Sequence, residues 1–133
     1  MATDPDAELV YRAEALLERE LPTRELSLNE AQDLVDHISH AEDIDPPKVL
    51  HLPVSRQYDG LAVPSEQVIV VRTKRPTQLT IIHEMAHFIG GMDHGARFRR
   101  IYLELLRRHV SIDNYSILET ALIPRASGSE IET

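Results

Sequence analysis

Within "HEMAHFIGGMDHGARF" (83–98), His83, Glu84 and His87 stand as H-E-x-x-H, and His94 follows a Gly90-Gly91 pair. Residues four apart on a helix share a face, so His83 and His87 can point their imidazoles at one ion about 2 Å away. Glu84, beside His83, can then reach a water held by that ion. Hydrolysis by such a site needs a third ligand and an open fourth position. Zinc lowers the pKa of bound water towards about 7, and a carboxylate takes its proton as it attacks a carbonyl. His94 is the expected third ligand, because the glycine stop lets the chain reverse and bring it back. Glu104 and Glu119 are its rivals. Asp93 is expected to cap the next helix or to hydrogen-bond a ligand histidine.

The motif is short enough to arise by chance, so the elements that must carry it matter. "PDAELVYRAEALLERE" (5–20) places Leu9, Val10, Ala13, Leu16 and Leu17 on one helical face, and Leu21-Pro22 ends it. "SLNE" (27–30) is a capping box opening a helix over 28–42, closed by Asp45-Pro46-Pro47. The period then changes. "KVLHLPV" (48–54) and "EQVIVV" (66–71) predict strands, with a third over 61–64 after the Asp59-Gly60 turn. Pro76 is expected as the first residue of the motif helix, which Gly90-Gly91 stops with one glycine left-handed. A further helix is expected from near Asp93 to about His109, then a short one over 113–122. The order of helices, small sheet and helices predicts an α+β fold: one domain over 1–123 and a polar, disordered tail over 124–133.

The remaining histidines have plainer explanations. His37 and His40 suit a solvated helix edge, His51 has no partner in view, and His109 suits a helix C-terminus where positive charge is favourable.

Composition narrows the chemistry. The 133 residues contain no cysteine, which excludes disulfides, thiolate zinc sites and cysteine nucleophiles. The net charge of −8 is uneven: residues 1–50 carry 13 acidic and 4 basic side chains, and residues 51–133 carry 9 and 10. Such a balance opposes sequence-independent binding of DNA by the whole surface. Arg97, Arg99, Arg100, Arg107 and Arg108 form a local basic run, a weaker nucleic-acid candidate because no aromatic stacking stripe accompanies it. No stretch is long and apolar enough for a bilayer and "MATDPDAELV" lacks an apolar signal core, so no membrane association and a cytoplasmic location are expected.

The segment 83–98 resembles the active site of SprT-like (Spartan-type) zinc metalloproteases. These carry H-E-x-x-H, a short connection, and then H-G-x-x-F/W, here His94-Gly95-Ala96-Arg97-Phe98. The resemblance implies a minimal zincin-like core and one catalytic Zn²⁺ on His83, His87 and His94. It also implies Glu84 as general base and an extended peptide substrate along a sheet edge. Many SprT-like proteins add a cysteine zinc ribbon, and this chain has no cysteine to build one. Metzincins place their third histidine one residue earlier and follow it with a methionine turn, which is lacking here. YbeY-type three-histidine RNA-processing enzymes end in G-x-D-H, much like Gly91 to His94, but usually lack the glutamate after the first histidine. The expected function is therefore a zinc metallopeptidase. A YbeY-like ribonuclease and a zinc-stabilised interaction module without catalysis stand as alternatives.

Overall fold

The computed structural model describes residues 4–53 and 58–123; the expected polar tail over 124–133 lies outside the described residues. Among the described residues there are five helices and one three-stranded sheet: α1 (Pro5–Glu20), α2 (Leu28–Glu42), β1 (Lys48–His51), β2 (Gly60–Val63), β3 (Val68–Val71), α3 (Gln78–Gly90), α4 (Ala96–His109) and α5 (Ile112–Leu122). The fold is α+β, as expected. No described helix is long and apolar enough to cross a membrane.

Local chemistry explains most boundaries. Asp4 caps α1 by accepting from the Asp6 amide, with Pro5 at the first helical position. The capping box of α2 is complete: Ser27 Oγ accepts from Glu30 N at 3.1 Å, and Glu30 Oε1 accepts from Ser27 N at 2.8 Å. Two expected starts move. Thr77, not Pro76, borders α3; its hydroxyl accepts from Thr80 N, while Pro76 lends its carbonyl to Leu26. Likewise α4 begins at Ala96 with Gly95 as its cap, because Asp93 spends its carboxylate on the Gly95 amide at 2.9 Å in an Asx turn.

The sheet order is β1-β3-β2, with β1 parallel and β2 antiparallel to β3. The expected strand over 66–71 is shorter because Pro64–Glu66 forms a 3₁₀ turn and Gln67 is left-handed. In register, Val49, Ile69 and Ala62 share one face, and His51, Val71 and Gly60 continue it. That face meets the helices: α2 packs beside β1, and α3 beside β2.

The core joins Val10 and Leu17 of α1, Val35 and Ile38 of α2, Ile69 and Val71 of β3, Ile82 and Met85 of α3, and Phe98 and Tyr102 of α4. Truncating a side chain as enclosed as Leu17 costs about 2–5 kcal/mol. The motif helix is thus packed on several sides, so its histidines project from a rigid support.

Candidate metal centre

All three predicted ligands come together. His83 and His87 lie one turn apart on α3, and His94 returns from the connection to α4. Each is buried. Their ligating nitrogens all lie within 4.8 Å of one another. The His83 Nε2 is 3.2 Å from His87 Nε2 and 3.4 Å from His94 Nε2. Nitrogens about 2.05 Å from a shared zinc at tetrahedral angles would be about 3.3 Å apart, so the spacing fits that ion.

The opposite ring nitrogens explain why the Nε2 atoms face inwards. His83 Nδ1 meets Glu14 Oε2, His94 Nδ1 meets Asp4 Oδ2 at 2.8 Å, and His87 Nδ1 meets the Gly91 carbonyl at 2.9 Å. An acceptor at every Nδ1 keeps the hydrogen there and leaves each Nε2 lone pair free. Three converging lone pairs repel one another unless a cation sits among them. The donor set therefore fits a bound metal.

The turn between helices is built to make this closure. Gly90 ends α3, and Gly91 takes φ 95°, a conformation that favours glycine. Its amide donates to the His87 carbonyl at 3.1 Å while its own carbonyl receives the His87 ring. Phe98 lies under the cluster, stacked on His87 with centroids 4.4 Å apart. From α4, Arg97 donates to the Ile89 carbonyl at 3.1 Å and Arg99 to the His94 carbonyl at 2.8 Å.

Glu84 adjoins His83 on α3 but is not one of the converging donors. It is only 6% exposed and lines a cavity of about 600 Å³ with Tyr11, Glu14, Glu18, Tyr58, Gly60 and His83. Burial pushes its carboxyl up to about 7, although His83 and a hydrogen bond from the Ala62 backbone favour the ionised form. A Cβ on Gly60 would lie 3.2 Å from Glu84 Oε2 and 2.9 Å from Thr80 Cγ2, so glycine lets β2 close on the carboxylate. Burial also drives His87 down to about 4, which keeps that ring neutral. Burial would lower His83 too, but the Glu14 carboxylate outweighs it and holds the ring above its usual value.

The rival third ligands are elsewhere. Glu104 is paired with Arg107 and Arg108, and Glu119 accepts from the Tyr115 hydroxyl. Of the basic run, Arg97 and Arg99 brace the turn, and Arg108 also reaches Glu42. His109 departs from expectation: its Nε2 is buried without a partner among the described residues, and burial, with His37 close by, lowers its pKa instead of favouring a charge.

Glu14 and Asp4 were missed as partners of the histidines. Glu14 left a trace, because it sits inside the apolar stripe of α1 between Ala13 and Leu17. A carboxylate on that stripe needs a buried partner, and it has two: His83 and the Tyr102 hydroxyl, which donates at 2.6 Å. Asp4 left none, being an ordinary helix cap 90 positions from His94.

Fold and site together define a helix-rich α+β domain with a buried three-histidine cluster able to hold a metal ion. Among known proteins, no family model, no curated protein and no solved structure matches the chain.

Proposed function

We propose that this chain is a zinc-dependent metallohydrolase, a SprT-like metallopeptidase with a minimal zincin-like fold that works in the cytoplasm. One observation carries the reading: three anchored imidazoles converge through Nε2 beside a buried glutamate that lines a cavity. His83, His87 and His94 would hold the ion. Zinc bound there supplies Lewis acidity towards a carbonyl oxygen and makes water a stronger acid.

The chain's own groups do the rest. The Glu84 carboxylate takes a proton from the attacking water and passes it to the leaving amine. Its burial favours that traffic, since it holds the proton affinity near neutrality. Gly60 lets β2 come against that carboxylate, whose Oε2 would lie 3.2 Å from a Cβ there. An extended peptide would lie along β2, the sheet edge beside α3, and send side chains into the cavity.

The ribonuclease alternative draws less support, because the basic run serves mainly to brace the turn and to pair with Glu42 and Glu104. The deciding experiment compares wild type and Glu84→Gln for zinc content, cleavage of an unfolded protein substrate, and cleavage of RNA. The expected result is one zinc in both proteins, with proteolysis by wild type alone. Equal proteolysis by Glu84→Gln, or cleavage of RNA in place of protein, would overturn the reading.

A further inference from the structure

The three histidines belong to α3 and its following turn, yet two of them are held by α1. Asp4, Tyr11 and Glu14 occupy positions i, i+7 and i+10, one strip of that helix. Asp4 Oδ2 accepts from both the His94 ring, at 2.8 Å, and the His94 amide, at 2.9 Å. Tyr11 lies parallel to His83 with centroids 6.3 Å apart and edge-on to His94 at 5.5 Å. Glu14 receives His83 Nδ1 and the Tyr102 hydroxyl through the same oxygen. A fourth tie comes from Arg99, which joins Asp6 at 3.2 Å to the His94 carbonyl at 2.8 Å.

The backbone of α1 packs mainly against α5. Its connection to the cluster therefore runs through these side chains. His87 differs, since its Nδ1 partner is the Gly91 carbonyl within its own turn.

We propose that α1 is a clamp on the metal centre: Asp4 and Glu14 are positioning residues that lock His94 and His83 with Nε2 inwards. This rests on the metal-centre reading above. Docking of α1 and occupation of the cluster then reinforce each other, because each fixes the same two rings. An ion gains affinity from rings already oriented, and α1 gains protection from an ion that holds those rings in place. Displacing the N-terminal helix would release the metal without touching a ligand.

The test is competition for zinc against a chromophoric chelator, with tryptic cleavage at Arg12 and Arg19 as a separate readout of α1. Asp4→Ser keeps a side chain able to cap α1 but is too short to reach His94, and Asp4 is partly exposed, so this variant should fold. Glu14→Ala removes the buried partner. Each should weaken zinc binding about ten- to a hundredfold. Asp4→Asn and Glu14→Gln, whose amide oxygens still accept from Nδ1–H, should recover to within about threefold of wild type. Zinc should slow cleavage at Arg12 and Arg19 in wild type, and less so in Asp4→Ser. Zinc affinity in Asp4→Ser and Glu14→Ala equal to wild type, or cleavage indifferent to zinc, would overturn the clamp while leaving the metal centre standing. Failure of wild type to bind zinc would overturn both.

Discussion

Among the described residues, two pairs of helices bring histidines together, and only one has the makings of a site. In the first, α3 and the turn into α4 converge three rings, and every Nδ1 has an acceptor. In the second, His37 of α2 meets His109 of α4 edge-on at 5.3 Å, and His109 Nε2 is buried with no partner among the described residues. The first cluster is buried, whereas in the second His109 is half-buried and His37 is exposed. The difference lies behind the rings. An acceptor on the far nitrogen settles which nitrogen carries hydrogen and turns the other into a ligand. Without one, burial simply opposes protonation, and the ring is a cost to stability rather than a binding group.

The sharpest way to break this contrast is to remove one ring from each place. His94→Ala should weaken zinc binding at least about a hundredfold, roughly one ligand's share of a tight site, while His37→Ala leaves it unchanged. Chelator competition reads both, and equal effects would abolish the distinction. Next in size is Glu84→Gln, which should lower peptide turnover by about 10²–10⁴-fold without loss of zinc. Activity and metal content measured on one sample separate those roles.

Gly60→Ala probes the wall facing Glu84. The added methyl would meet Thr80 Cγ2 at 2.9 Å and the Glu84 carboxylate at 3.2 Å, so one of them must move. We expect a loss of about 1–3 kcal/mol by denaturant unfolding, with reduced turnover and normal zinc content. Unaltered stability and turnover would mean that β2 yields without disturbing Glu84.

The smallest effect belongs to the second histidine pair. His109 has a folded pKa below its ordinary 6.5, chiefly through burial and then through His37, with Glu42 opposing and Arg108 adding to the shift. The unfolded chain therefore binds the proton first as pH falls through 6.5, and stability declines towards the folded pKa. In His109→Leu this share of the acid loss should vanish. Melting temperatures at about pH 7.5 and about pH 5.5 should then lie closer together than in wild type, and an identical gap would refute the assignment.

Much of the architecture was legible in the residues because it depends on neighbours in the chain. Apolar spacing marked α1 and α2, and the Ser27–Glu30 box marked where α2 begins. Four-residue spacing put His83 and His87 on one face, and the glycine pair announced the reversal towards His94. Where two local signals compete, a further contact decides between them. Pro76 looked like a helix start, but a bridge between Glu25 and Thr77 holds the chain extended there. Asp93 looked like a cap, but its carboxylate closes a turn one step earlier.

By itself, then, the sequence determined an α+β order of elements, a cysteine-free donor set and the four residues His83, Glu84, His87 and His94. All of these follow from residue type and short-range period. Only the tertiary structure decided what stands behind those residues. Asp4 is 90 positions from His94, Glu14 is 69 from His83, and Ala62 reaches Glu84 from another element. Such pairings have no period to read: they exist because α1 and β2 pack on the motif helix, and burial there makes each polar contact a requirement.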